Sequence, residues 1–398
     1  MKENKEFRTL VILVLVACLA GFASDIYVPS FLTMAKDLNS SLNDIQKSMS
    51  IFMLSLATTQ LIYGPLSEVI GRRITLLLGL LIMIAGSSIC IFTENFTYLI
   101  LGRFIQGAGA GACACLWRSI FRDIFNSQQI AKYGGYLGIA MVYIVAASPF
   151  LGGYLETYSA WQASFVLAMA YGLIVFLLVY FALPETNVHR TIDRFNIKFF
   201  SQAYGQLFRS PLFMGYSFCV FLTYGAFFSW FVAGPVLSMV YFDLSPETFG
   251  WVNLTLGGTA MALGGLFNGR YVSRLGQEVM LRLGWGLMIF SGINILLLSL
   301  FACKILILFF ACIFTFLFGT TLIWPNAFSR AFAPFGSIAG YAAGLYSSMQ
   351  LGGGAAIGWI SAFIPDDKLY PLGIVFILTG LSAWLLFEGV VKNCIKKE

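Results

Sequence analysis

Long apolar runs separated by short polar segments follow one another from the first residues of the chain to the last. A helix needs about 20 mainly apolar residues to cross the hydrocarbon core of a bilayer. Twelve segments meet this requirement, so the pattern predicts an all-α polytopic membrane protein. The predicted spans cover residues 10–35, 43–66, 75–92, 98–118, 133–156, 160–184, 213–240, 247–268, 280–301, 305–328, 338–362 and 371–391.

The composition agrees with this pattern. Of the 398 residues, 59% are hydrophobic and 11% are charged, and the mean hydropathy is +0.83. A soluble domain carries about 25% charged residues, so this chain could not cover a surface that faces water. The eight cysteines lie mostly in apolar runs, and His189 is the only histidine. These counts exclude a disulfide scaffold, and we expect no metal site and no cofactor.

The distribution of basic residues predicts the orientation in the membrane. If the amino terminus is cytoplasmic, nineteen of the 24 lysines and arginines fall on that side, four fall on the other, and Arg103 lies inside a span. An excess of Lys and Arg marks the cytoplasmic side. We therefore expect a multi-pass protein of the bacterial inner membrane with both termini in the cytoplasm. Because membrane topology explains the basic residues, nucleic acid is not an expected partner.

Matching motifs indicate an internal repeat. The stretch from Gly64 to Gly71 after the second span has the same glycine spacing as Gly269 to Gly276 after the eighth. A parallel repeat of six spans is one of the architectures of secondary transporters, with the substrate site between the halves. The predicted division is an N-terminal six-helix half over residues 1–184, a cytoplasmic linker loop over 185–210 and a C-terminal six-helix half over 211–398.

Two charged residues lie well inside predicted spans, the acid Asp25 and the base Arg103. A charge at membrane depth is costly, so such residues face a cavity or a partner and are candidates for function. One interpretation is a buried ion pair that only positions two helices. The other is that Asp25 exchanges a proton, because burial and a neighbouring cation act in opposite directions on a carboxylate. Pro29, one turn later, is expected to loosen the helix near the acid.

Other polar and aromatic residues within the spans are candidates for lining a substrate cavity. Each of them could equally serve helix packing. The combination of a ring, a proline and an amide at 324–326 makes the tenth span the better case for cavity lining. The candidates are Tyr27, Gln106, Tyr224, Trp230, Trp324, Asn326 and Gln350.

Several motifs resemble those of one transporter family. They are Ser24-Asp-Ile-Tyr-Val-Pro29, Gly64-Pro-Leu-Ser-Glu-Val-Ile-Gly-Arg-Arg73, Leu101-Gly-Arg-Phe-Ile-Gln-Gly-Ala-Gly109 and Ser148-Pro-Phe-Leu-Gly-Gly153. The first looks like the helix-1 signature of the bicyclomycin-resistance (Bcr/CflA) branch of drug:proton antiporters, which belongs to the major facilitator superfamily. The second is similar to the loop motif of that superfamily, and the last two resemble the helix-4 and helix-5 motifs of its proton-coupled exporters.

The resemblance implies the major facilitator fold and an alternating-access transporter, not an enzyme. It implies that Asp25 accepts the proton and that Arg103 is its electrostatic partner. The expected function is efflux of small amphipathic drugs or metabolites in exchange for H⁺. The alternative is proton-linked import or export of one metabolite, such as a siderophore or an amino acid. The residues that the resemblance assigns to conformational motifs are Gly64, Glu68, Gly71, Arg72, Arg73, Pro149, Gly152 and Gly153.

This chain departs from the family pattern in two places. Glu68 stands where relatives usually carry aspartate, and Ala17 stands where some related antiporters have a second membrane acid. A single acid favours one proton per cycle. Glu68 lies four residues before Arg72, a spacing that permits an ion pair. We expect these residues to hold the cytoplasmic side closed. The expected partners are a small-molecule substrate, protons and membrane lipid, and the protein is expected to be a monomer.

Overall fold

The computed structural model describes residues 2–125, 127–187, 197–302, 304–335, 338–365 and 367–395. Within these ranges every regular element is helical. The linker residues His189, Arg190 and Arg194 lie outside them. The all-α fold class predicted from the hydrophobic pattern is confirmed.

The first half of the chain contains seven helices. They are α1 Lys2–Asp25, α2 Phe31–Asp37, α3 Leu42–Ile70, α4 Arg72–Ile91, α5 Phe96–Ile124, α6 Ser127–Tyr158 and α7 Gln162–Ala182. The first predicted span is not continuous, because a 3₁₀ turn at Val28–Ser30 separates α1 from α2. Pro29 is inside this turn and has no backbone N–H to donate, so the expected loosening of the helix at this point is confirmed.

The second half of the chain contains the remaining helices. Its helices are α8 Ile197–Phe208, α9 Pro211–Val236, α10 Pro246–Val252, α11 Gly258–Leu275, α12 Gln277–Leu300, α13 Leu306–Phe332, α14 Ala339–Ser361, α15 Tyr370–Leu386 and α16 Lys392–Ile395. A π-helical turn at Asn253–Gly257 joins α10 to α11, and another at Phe387–Val391 joins α15 to α16. Each of the twelve predicted spans therefore falls on one helix or on one interrupted pair.

Among the described residues, nine segments are long and apolar enough to cross a membrane by themselves. The other three predicted spans fall on α6, on α10 with α11, and on α14. These three elements contain many glycines and pack along the middle of the molecule, where α6 meets α10 and α14 meets α3 and α9. Small residues allow helices to approach closely, so such contacts are typical of glycine-rich membrane helices.

Part of the predicted linker loop is a helix. α8 buries Ala203, Tyr204 and Leu207, which lie three and four residues apart on one face, against α9 and α14. Such spacing is typical of an amphipathic helix. The interpretation of 185–210 as a loop is therefore wrong for the segment that α8 occupies.

Polar contacts join the two halves on the extracytoplasmic side. Gln46 Nε2 on α3 donates a hydrogen bond to the carbonyl oxygen of Val232 on α9 at 2.8 Å. Lys47 Nζ lies 4.9 Å from the ring centroid of Phe363, just after α14. Toward the cytoplasm, a cavity of about 210 Å³ lies between the ends of α3, α5, α13 and α14.

Candidate functional site

The acid Asp25 is the last residue of α1 and lies where the first span breaks. Its side chain is buried, with 6% of its surface exposed. Because the helix stops here, the backbone at Ile26 and Tyr27 leaves the regular α-helical path beside the carboxylate. The neighbouring hydroxyl Oγ of Ser24 is buried beside the carboxylate. The acid therefore lies at a local discontinuity of the membrane helix, beside polar groups.

The base Arg103 on α5 is completely buried, and aromatic rings surround it. Its guanidinium carbon lies 4.3 Å from the ring centroid of Tyr27 and 4.2 Å from that of Phe52. The ring of Phe165 is 5.9 Å away. Attraction between a cation and aromatic faces is strongest where water is excluded, worth about 2 kcal/mol for a desolvated pair. These rings compensate part of the cost of burying the charge.

Hydrogen bonds fix one end of the guanidinium. Arg103 Nη1 donates to the carbonyl oxygen of Ala23 at 3.0 Å and to Gln106 Oε1 at 2.5 Å. Gln106 Nε2 in turn donates to Ser87 Oγ on α4 at 2.8 Å. The other two nitrogens, Nε and Nη2, are buried without a partner among the described residues. The arginine therefore retains unused hydrogen-bonding capacity.

Asp25 and Arg103 lie near each other, but they are not in direct contact in this conformation. Within the described ranges, no ion pair of 4.0 Å or less joins them. The static ion pair considered from the sequence is therefore not found here. Arg103 of α5 instead contacts α1 at the carbonyl oxygen of Ala23, two residues before the acid.

Two of the residues predicted for the substrate cavity lie around Arg103 instead. The hydroxyl of Tyr27 forms a hydrogen bond with Ser48 Oγ at 2.8 Å, and its ring lies against the guanidinium. Gln106 is fully buried between Arg103 and Ser87. Both residues orient the arginine, so their contacts in this conformation are with the charged group.

Aromatic residues of the second half form a separate cluster. The ring centroids of Tyr224 and Trp324 are 5.9 Å apart, and Phe227 lies 5.0 Å from Trp324. Trp324 Nε1 is buried without a partner in the described part of the chain. Tyr224 lies near Asp25. The half-buried Gln350 lies on α14, which packs against α9.

The structure does not bring Trp230 and Asn326 into this cluster. The ring of Trp230 is buried against Phe309 and Phe310 of α13, at centroid distances of 6.0 and 6.3 Å. Asn326 Nδ2 donates to Asn268 Oδ1 at 2.6 Å and so joins α13 to α11. Both side chains serve helix packing here. Asn326 is two residues after Trp324, which turns it to the opposite face of the helix.

The loop motif between α3 and α4 forms the ion pair expected from its spacing. Arg72 Nη2 is 3.6 Å from Glu68 Oε1, and Arg72 Nε is 3.3 Å from Asp123 Oδ2 at the end of α5. Arg72 also donates a hydrogen bond to Ser67 Oγ. A Cβ built on Gly340, near the start of α14, would lie 3.9 Å from Glu68 Oε1. Glu68 therefore reaches from the first half to the amino terminus of a helix in the second.

The roles of Asp123 and Glu185 were not predicted from the sequence. Glu185 follows α7, and its two carboxylate oxygens accept the backbone N–H groups of Arg72 and Arg73 at 2.9 and 3.3 Å. An acid at a helix amino terminus is favourable because it compensates unpaired N–H groups there. Both acids lie in cytoplasmic segments that are otherwise rich in Lys and Arg. An acid among so many basic residues was the signal that could have pointed to an ion-pair or capping role. Arg73 continues the connection by donating to the backbone carbonyls of Val179 and Tyr180 on α7.

Glycines make these approaches possible. Gly71 has a φ of +105°, a conformation that other residues rarely adopt, and a Cβ there would overlap the carboxylate of Glu185. Gly64 lines the cytoplasmic cavity.

The helix-5 motif lies against the break in the first span. Pro149 is inside α6, and a Cβ added at Gly152 would overlap the carbonyl oxygen of Ile26, next to Asp25. A Cβ at Gly153 would overlap the carbonyl oxygen of Pro246, the first residue of α10. The two glycines therefore allow α6 to contact the acid's helix on one side and the second half of the chain on the other.

A bundle of membrane helices with one acid and one arginine at membrane depth, and with a charged network at its cytoplasmic end, defines a membrane transporter. The chain belongs to the major facilitator superfamily, whose family model matches residues 13–359. It is similar to a bicyclomycin resistance protein homolog of Haemophilus influenzae, with 26% identity over 98% of this chain and 99% of that protein. It is also similar to multidrug resistance protein D of Escherichia coli, with 27% identity over 96% of this chain and 95% of that protein.

The fold matches a solved transporter structure as well. A crystal structure of a D-xylose–proton symporter superimposes with a TM-score of 0.75 and 13% identity, over 95% of this chain and 97% of that one. At this level of identity the match demonstrates the shared fold. The prediction of a multi-pass transporter of the bacterial inner membrane with the major facilitator fold is confirmed by these comparisons.

Proposed function

We propose that this protein exports small amphipathic compounds in exchange for protons, by alternating access between two six-helix halves. The observation that carries this proposal is the position of Asp25, a buried acid at a break in a membrane helix, next to a buried arginine. The names of the relatives from Haemophilus influenzae and Escherichia coli, which refer to bicyclomycin and to multidrug resistance, support drug-like substrates.

In this proposal Arg103 decides when Asp25 holds its proton. The guanidinium is held by Ala23 and Gln106 and keeps two unpaired nitrogens, so a movement of α1 relative to α5 can bring the acid and the base together. Contact with the cation favours the ionised acid, and separation in a dry environment favours the protonated acid. If the change between the inward-open and outward-open states moves α1 relative to α5 within the first half, it couples to release or uptake of one proton.

The proposal assigns proton coupling to residues 1–184 and places the linker at 185–210 and the second half at 211–398. The cluster of Tyr224 and Trp324 lies on the side of the second half that faces Asp25, with Gln350 on the neighbouring α14. We assign the substrate to the space between this cluster and the acid. The network of Glu68, Arg72 and Glu185 then controls the cytoplasmic side, and one chain is sufficient for the cycle.

Transport into inside-out proteoliposomes tests the proposal. A panel of neutral, cationic and anionic amphipathic compounds that includes bicyclomycin is offered with an acidic lumen, and uptake is measured. The wild type should accumulate at least one compound, and Asp25→Asn should abolish accumulation while the protein stays folded. The matched control is Asp243→Asn, the same change at an exposed residue. Asp243 has a left-handed backbone conformation, which asparagine also tolerates.

Two results would contradict the proposal. Full accumulation by Asp25→Asn would remove the acid from coupling. Accumulation that requires the opposite gradient would favour the alternative, proton-linked import of a metabolite.

A further inference from the structure

The cavity at the cytoplasmic end of the molecule has two walls of different chemistry. It has a volume of about 210 Å³. The first half contributes Arg118 and Arg122 on α5, and the second half contributes Phe328 and Phe332 on α13 with Tyr341 on α14. The proton-coupling residues Asp25 and Arg103 do not line this cavity. It is therefore a candidate binding site in its own right.

Among the residues that the structure describes, no acid pairs with the two arginines of the cationic wall. Glu68 is the acid in the lining, and it pairs with Arg72, which also pairs with Asp123. Arg118 donates to the carbonyl oxygen of Ala114 at 3.3 Å and lies 4.6 Å from the ring of Trp117. In the described part of the chain, neither Arg118 nor Arg122 forms an ion pair with a carboxylate within 4.0 Å. Both side chains are exposed and can contact a ligand in the cavity.

The opposite wall is aromatic. The rings of Phe328 and Phe332 stack with centroids 4.1 Å apart, and Tyr341 packs against Tyr204 of α8 at 5.6 Å. An aromatic face accommodates a flat apolar group, while arginine offers a planar set of donors that suits carboxylate, sulfonate or phosphate. The two walls together suit a molecule with an apolar ring system and one acidic group.

We propose that this cavity is a loading site for amphipathic anions, whose acidic group binds Arg118 and Arg122 and whose apolar body lies against Phe328 and Phe332. This inference rests on the proposed export function in one respect, namely that an exporter loads its substrate from the cytoplasmic side.

The loading site is separate from the proton site. Fifteen residues of α5 separate Arg118 from Arg103, which corresponds to about 22 Å along the helix. Over such a distance, the charge on Asp25 has little influence on an anion near the membrane surface. Binding at the loading site should therefore be the same in the wild type and in Asp25→Asn.

Equilibrium dialysis of the purified full-length protein tests the site with two probes of the same size, 1-naphthoate and the neutral 1-naphthamide. Hydrogen bonds to charged groups predict that the wild type binds the anion about tenfold or more tightly than the amide. The double variant Arg118→Gln, Arg122→Gln should lose this preference, and the double variant Arg118→Lys, Arg122→Lys should keep most of it. The matched control Arg274→Gln changes an exposed cytoplasmic arginine outside the cavity and should bind naphthoate like the wild type.

Two outcomes with the naphthoate and naphthamide probes would overturn the inference, provided that thermal unfolding shows the variants to be folded. One is equal affinity for the two probes in the wild type, and the other is an equal loss in Arg274→Gln and in the double glutamine variant.

A lipid headgroup could supply the same negative charge. If phosphatidylglycerol displaces naphthoate and phosphatidylcholine does not, the cavity is a lipid site and the substrate assignment is overturned. Because dialysis requires no transport, these outcomes are independent of the proteoliposome test of the proposed function.

Discussion

The carboxylate of Glu185 caps the amino terminus of α4, with Oε1 2.9 Å from the backbone nitrogen of Arg72. This contact ties the end of the sixth span to the start of the third. The second half has a corresponding contact, but there it joins two side chains. Glu388, near the end of the last span, binds the guanidinium of Arg282 on α12. In both halves, an acid from the final span holds the cytoplasmic end of the third.

Gly71→Ala should disrupt the Glu185 cap. The substitution places a Cβ in a left-handed conformation and displaces the carboxylate from α4. Left-handed backbone costs an ordinary residue about 1–2 kcal/mol, and the lost cap adds about 0.3–1 kcal/mol. Gly276→Ala is the matched control, since Gly276 has a φ of +82° and no atom within 4 Å of an added Cβ. The midpoint of thermal unfolding should fall further for Gly71→Ala, and equal losses in the two variants would argue against the cap.

Glu68→Gln should shift the resting population toward the inward-open state. The change weakens the pair with Arg72 and removes the negative charge that lies near the amino terminus of α14. Spin-label distances between the cytoplasmic ends of α5 and α13 should lengthen in the variant. Glu278→Gln is the control, because Glu278 forms a pair of the same spacing with Arg282 within α12, at 3.4 Å. Distances that do not change in Glu68→Gln would show that Glu68 does not hold this side closed.

Gly152→Ala should abolish transport with little loss of expression. A Cβ here overlaps the carbonyl oxygen of Ile26 and pushes α6 away from the break beside Asp25. Gly138→Ala, on the same helix with open space around its Cβ position, should behave like the wild type. Initial rates of pH-driven uptake measure both variants. Normal uptake by Gly152→Ala would show that close contact between α6 and the first span is not required.

Tyr27→Leu should impair the protein more than Tyr27→Phe. Leucine removes the ring that lies 4.3 Å from the guanidinium of Arg103, whereas phenylalanine removes only the hydrogen bond to Ser48. We expect a loss of about 2 kcal/mol for the ring and about 1 kcal/mol for the hydrogen bond. Chemical unfolding in detergent compares the two variants. Equal losses would mean that the ring contributes nothing to holding the buried charge.

The sequence predicted the features of the molecule that depend on local spacing. The helix break at Pro29 and the pair of Glu68 with Arg72 follow from residues that are neighbours along the chain. The aromatic environment of Arg103 could not be predicted in this way. Tyr27, Phe52 and Phe165 come from three different spans, and only their packing brings them together. Glu185 and Arg72 are likewise more than a hundred residues apart in the sequence. Trp230 and Trp324 are both aromatic residues within spans, and only the packing of the helices places Trp230 against Phe309 and Phe310 and Trp324 against Tyr224.

Proton movement driven by substrate tests the central claim most directly. Liposomes containing the protein, with a pH-sensitive dye in the lumen and no imposed gradient, receive a compound that the wild type transports. Proton exchange at Asp25 predicts that the lumen becomes more alkaline as the compound enters, and that Asp25→Asn shows no proton movement while Asp243→Asn responds like the wild type. Acidification of the lumen during entry, or an undiminished response in Asp25→Asn, would contradict proton-coupled export through this acid.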